Sequence, residues 1–143
     1  MIFSQTAKVG IKSVIYIAVK SMRDEMATIK EIGKEIDENE HTLAKVLQIL
    51  SRQGIISSMK GPAGGFFVET EQMQLPLYKI VHLIDGVAEN GGCVLGLKTC
   101  DANNPCPVHQ EYVKAKKILD GMLQTKTIGH LANEVQKGLT QLI

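Results

Sequence analysis

Apolar residues recur at helical spacing along most of this chain. Between Ser4 and Lys20, the residues Ala7, Ile11, Val14, Ile15 and Ala18 share one face, with Ser4 placed as the N-cap of a first helix. Thr28 followed three residues later by Glu31 is a capping box. It opens a short second helix whose stripe is Ile29, Ile32 and Ile36. Asn39 can cap a third, on which Leu43, Val46, Leu47 and Leu50 take the i, i+3, i+4 and i+7 positions until Gly54 ends it. The period then changes. Ile55 to Met59 reads as a strand, Lys60-Gly61-Pro62-Ala63-Gly64-Gly65 as a turn, and Phe66 to Val68 as the returning strand.

Helical spacing resumes at Pro76, where Leu77, Ile80, Val81 and Ile84 form a stripe that Gly86 closes. After a glycine- and cysteine-bearing loop, Pro107 marks the start of a long helix with Val108, Tyr112, Ala115, Leu119, Met122 and Leu123 on one face and Lys114, Lys116 and Lys117 on the other. Thr127 opens a last helix through Leu131, Val135 and Leu139. Three helices followed by a hairpin predict a mainly α fold with a small β wing: a winged helix-turn-helix over residues 1–75, then a helical dimerisation region over 76–143. The long helix lies outside the winged core and is expected to bury its stripe against the same helix of a second copy.

Charge sharpens this picture. The net charge is only +1, yet no acid occurs between Glu40 and Glu69, an interval that holds His41, Lys45, Arg52 and Lys60. A locally positive surface on a helix-turn-helix suits a phosphate backbone. The glycines at the hairpin tip would let its backbone approach that phosphate closely. Hydrophobic residues make up 44% of the chain, and no apolar run approaches the roughly 20 residues that cross a bilayer. With no secretory h-region at the N-terminus either, a cytoplasmic protein is expected.

The candidate chemistry is confined to residues 91–109. All three cysteines lie there, as Cys93, six residues, Cys100, five residues, Cys106, two residues, and then His109. An odd count excludes a purely disulfide framework, and thiolates with an imidazole on one loop suit zinc or an iron-sulfur cluster equally well. A cluster-free protein that senses oxidants through its thiols is a third reading. A thiol enzyme finds no support. The chain has no Cys-x-x-Cys, no cofactor cradle and no set of base and orienting residues, so neither an enzyme nor a small-molecule substrate is expected.

Ser4 with Ile15, Tyr16 and Ala18, the Thr28–Ile32 box, Leu43 to Leu50, Gly54, Ile55 and Ser58, the run Lys60-Gly61-Pro62-Ala63-Gly64-Gly65-Phe66 and the three cysteines together resemble the Rrf-two family of winged-helix transcriptional regulators, the IscR- and NsrR-like proteins. The resemblance covers nearly the whole chain. It implies a homodimer that binds a palindromic operator in double-stranded DNA, with contacts from Asn39, His41, Thr42, Lys45, Lys60 and Gly61. Relatives often carry arginine where Lys60 stands, so a phosphate contact is expected there rather than a base contact. It also implies an iron-sulfur cluster held by Cys93, Cys100, Cys106 and His109, the 2Fe–2S form ahead of 4Fe–4S, with zinc or no metal as alternatives. The resemblance implies His109 as fourth ligand, because IscR-like members carry a histidine just after the third cysteine, and the acid that some relatives use near the start of the first helix has no counterpart before Asp24 here.

Overall fold

A computed structural model describes residues 2–86, 95, 97 and 101–142. The elements run α1 (Gln5–Ser21), α2 (Ile29–Ile36), α3 (Glu40–Arg52), β1 (Ser57–Met59), β2 (Gly65–Phe67), a 3-10 turn (Gln72–Gln74), α4 (Leu77–Asp85), α5 (His109–Thr125) and α6 (Ile128–Gln136). Four helices begin on side chains that accept from the first-turn amides: Ser4 from Ala7, Thr28 from Glu31, Asn39 from Thr42 and Thr127 from His130. The capping box at Thr28 and Glu31 is closed in both directions. Gly54 follows α3 with φ +75°, and Gly86 follows α4 with φ +72°.

α1 is the central element, with α2, α3, α4, α6 and β2 all packed on it. Gly10 permits this, since a Cβ there would lie 2.5 Å from Ile84 Cδ1 and 3.5 Å from both Ile80 and Val46. The core is continuous. Val9, Val14 and Ile17 of α1 pack in one cluster with Ile32, with Leu43, Leu47 and Leu50 of α3, and with Leu77, Ile80, Leu123, Ile128 and Ala132 from the later helices.

The two strands are antiparallel, with Ser57 opposite Phe67, Ser58 opposite Phe66 and Met59 opposite Gly65. β1 is two residues shorter than the hydrophobic pattern predicts, and β2 keeps the predicted length but starts one residue earlier, at Gly65. Ile55 N–H bonds back to the Leu50 carbonyl and Ile56 is buried, so these two residues leave α3 and fill the core before the ladder starts. A third segment joins the pair at one point: Ala27 exchanges two backbone hydrogen bonds with Phe66, at 2.8 and 2.9 Å.

Three further departures concern the C-terminal helices. α5 begins at His109 rather than at Pro107, because a turn closes first from His109 N–H to the Cys106 carbonyl at 3.1 Å. Lys116 is half-buried on the side of Tyr112, Leu119 and Leu123, not on the opposite side with Lys114 and Lys117. The last helix stops at Gln136 and leaves Leu139 72% exposed. The α5–α6 joint is tied back to the start of α4 by Leu77 N–H to the Lys126 carbonyl at 2.8 Å and Ile128 N–H to the Leu75 carbonyl at 3.0 Å.

Candidate nucleic-acid interface and cysteine loop

The turn between α2 and α3 is tight for identifiable reasons. Glu38 N–H reaches the Gly33 carbonyl at 2.9 Å, Asp37 takes a left-handed conformation at φ +54°, and a Cβ on Gly33 would lie 2.8 Å from the Glu38 carbonyl oxygen. Asn39 then caps α3, its Oδ1 accepting from Thr42 N–H at 2.8 Å. Its carbonyl end is therefore committed to the helix, while its amide lies 3.3 Å from Glu38 Oε1. His41 and Lys45 are exposed one turn apart, and Thr42 is half-buried beside them. The same exposed face continues through Gln48 and Arg52, at i+7 and i+11 from His41, opposite the buried Leu43, Val46, Leu47 and Leu50. Gln48 was not among the candidate residues, although its i+3 spacing from Lys45 puts it on the same face.

At the wing, Lys60 and Gly61 are exposed at the tip, and Gly64 N–H closes the turn onto the Gly61 carbonyl at 3.0 Å. The glycines divide by role. A Cβ on Gly64 would lie 2.0 Å from the Met59 carbonyl oxygen, and one on Gly65 would lie 2.9 Å from that of Ala27. The wing's own backbone requires both. Gly61 has φ +110° and open space around it, so it is the tip glycine left facing outward.

Of the predicted metal ligands, Cys93 and Cys100 lie outside the described residues, while Cys106 and His109 are described. Cys106 is half-buried and forms no disulfide among the described residues, and His109, also half-buried, stands three residues on in the same turn at the first position of α5. A sulfur and an imidazole spaced by one turn are a donor set that fits zinc or an iron-sulfur cluster. His109 also lines an open cavity of about 340 Å³ with Ala102, Pro105, Gln110, Val113 and Lys114. At the end of α4, Asp85 accepts hydrogen bonds from the backbone N–H and the hydroxyl of Ser4, so α4 is fastened there to the N-terminus of α1. The field of α1 favours a carboxylate there, whereas the end of α4 opposes one.

Beyond the core, α5 presents Ala115, Ile118 and Met122 on one exposed stripe, with Ile118 77% exposed and Met122 39% exposed. Ile118 escaped the predicted stripe, although it sits at i+3 from Ala115.

The family profile described as Rrf2, iron-dependent transcriptional regulator, matches residues 3–134. The chain belongs to the Rrf2 family. This makes it a non-enzymatic, DNA-binding transcriptional regulator with a winged-helix fold. An HTH-type transcriptional regulator of Aquifex aeolicus is 32% identical over 141 residues, which is 97% of this chain and 96% of that one. The fold is similar to that of CymR, the global cysteine regulator of B. subtilis, with a TM-score of 0.72 at 18% identity over 92% of this chain and 95% of that one. It is equally similar to IscR of T. potens, with a TM-score of 0.72 at 16% identity over 96% and 90% of the two chains. Among the described residues, no helix is long and apolar enough to cross a membrane.

Proposed function

We propose that this Rrf2 regulator acts in the cytoplasm as a homodimer on a palindromic operator, and that an iron-sulfur cluster held by Cys93, Cys100, Cys106 and His109 switches its operator binding. The observation that carries the sensing half is the pairing of Cys106 with His109 in one turn at the start of α5, immediately before the helix with the exposed apolar stripe. The head of α3 supplies Asn39, His41, Thr42 and Lys45 to the major groove, and the wing supplies Lys60 and Gly61 to the phosphates. Residues 1–75 thus carry the reading surface, and 76–143 carry the sensor and the dimer contact.

Bound at the loop, the cluster supplies an oxidisable centre that responds to redox state, nitric oxide or iron-sulfur supply. The protein's part is mechanical. His109 opens α5, so a group held there would bear on the first turn of that helix, while the Asp85–Ser4 contact fastens the end of α4 to α1. A shift between the two α5 helices changes the separation of the two α3 heads, and a few kcal/mol of such coupling changes operator occupancy about tenfold or more.

The Cys106 thiol also supports a second reading, a cluster-free or zinc-bound regulator that responds through thiol oxidation. Protein purified without oxygen separates the two. The cluster reading expects visible charge-transfer bands, bound iron and sulfide, and an operator affinity that depends on both. Alanine at Cys93, Cys100 and Cys106 then abolishes that dependence. A colourless, iron-poor protein with full operator affinity overturns the cluster reading.

A further inference from the structure

Gln72 is a buried polar side chain that the duplex-reading surface does not use directly. It lies in the 3-10 turn beyond the wing and is 9% exposed. Its Oε1 accepts from Glu69 N–H at 2.8 Å, and its Nε2 donates to the Gly54 carbonyl at 3.0 Å and to Ser57 Oγ at 3.1 Å. Ser57 Oγ in turn donates to Glu69 Oε2 at 3.0 Å. Three separate segments meet on one amide: the carbonyl of the glycine that follows α3, the hydroxyl of the first residue of β1 and the backbone N–H just past β2. Ser57 is the partner of Phe67 at the base of the ladder, so both roots of the wing are held there.

An amide in this position is costly unless its polar atoms are matched, and a leucine or methionine would fill the space without that requirement. What the amide adds is direction, because hydrogen bonds constrain angles and apolar contacts do not. The wing needs that constraint. A ladder of three residue pairs is too short to hold its own orientation in water. The Ala27–Phe66 bridge fixes one flank, and the Gln72 amide fixes the base against the end of α3.

The turn that carries Gln72 is itself anchored by α6. Leu75 accepts from Ile128 N–H, and a Cβ on Gly129 would lie 3.1 Å from the Met73 carbonyl oxygen. The wing root is therefore attached to the C-terminal helices as well as to α3.

We propose that Gln72 is a positioning residue that sets the wing tip against the head of α3, so that both reach one duplex together. This rests on the reading of α3 and the wing as the duplex-binding surface. In the full-length Gln72→Met protein, amide hydrogen exchange over residues 57–67 should accelerate by roughly tenfold or more while that of Leu43 to Leu50 stays unchanged. Affinity for a duplex selected by the wild-type protein from a random-sequence pool should fall roughly tenfold, as for the loss of a charge-assisted contact.

The salt dependence of that affinity should flatten by about one unit, the signature of one lost phosphate contact. Lys60→Ala should then cost nothing further in this background, although it weakens the wild-type protein. Unchanged exchange in the wing, or a Lys60→Ala effect as large in the variant as in the wild type, overturns the proposal and leaves the DNA-binding reading intact. If Lys60→Ala has no effect even in the wild type, both the wing contact and this proposal fall. Should Gln72→Met not fold, Ser57→Ala removes only the wing-root hydroxyl, and the same two measurements decide.

Discussion

At the scale of single residues, the two glycines with the closest neighbours differ in what an added methyl would meet. At Gly64 the obstacle is the backbone oxygen of Met59, 2.0 Å from where that methyl would sit, and the strand cannot yield without losing its ladder. At Gly10 the neighbour is the terminal methyl of Ile84, which can rotate away. Gly64→Ala is accordingly expected to lose about 1–3 kcal/mol of stability and to displace the wing. Gly10→Ala should cost distinctly less. Urea unfolding of both variants checks the ordering, and equal losses would contradict it. The capping residues Ser4, Thr28, Asn39 and Thr127 were legible because a cap depends on an oxygen and the three residues that follow it. Gln72 was not legible, because its partners Gly54 and Ser57 lie 18 and 15 residues away, and nothing local marks a glutamine as buried.

At the scale of elements, α5 carries two apolar faces. Leu123 is buried on the protein's own core, and Leu119 and Tyr112 are half-buried beside it, whereas Ala115, Ile118 and Met122 remain exposed. A stripe of that kind is costly to leave in water and suits a second copy of the same helix. Replacing Ile118 with lysine buries a charge at the centre of such an interface. The variant is expected to sediment as a folded monomer where the wild type sediments as a dimer, and to lose operator affinity. A dimer of unchanged stability would remove α5 from the interface. The spacing predicted this helix but merged its two faces into one stripe, because Ala115, Leu119 and Met122 are compatible with either. The start of α5 moved from Pro107 to His109 for a local reason, the turn closed by the Cys106 carbonyl.

At the scale of the whole molecule, the winged helix and the C-terminal helices share one core. Leu77, Ile80, Leu123, Ile128 and Ala132 pack in the same cluster as Val14, Ile17 and Leu47. Each large aliphatic side chain so buried contributes about 1.5–3 kcal/mol. Domains of this kind are stable by only about 5–15 kcal/mol in total. A fragment of residues 1–75 should therefore lack a cooperative thermal transition, even though it contains every predicted DNA contact. A sharp transition in that fragment would show that the reading region is self-sufficient. In the proposed switch, the shared core is what would connect His109 to α3, through α5, the bridges at Leu75 and Lys126, and α1.

The sequence by itself determined the order and type of the helices, the hairpin after α3, the positive surface and the concentration of soft ligands on one loop. Each of these depends on residues within a turn or two of one another, where periodicity and capping act. Only the tertiary structure decided that α6 packs on α1, that Gly64 and Gly65 serve the wing's own backbone, that Ile118 faces outward and that one buried amide joins α3 to the wing. Those outcomes depend on which distant segments come within about 3–4 Å, the range over which hydrogen bonds and steric exclusion act, and that proximity is a property of the packed chain.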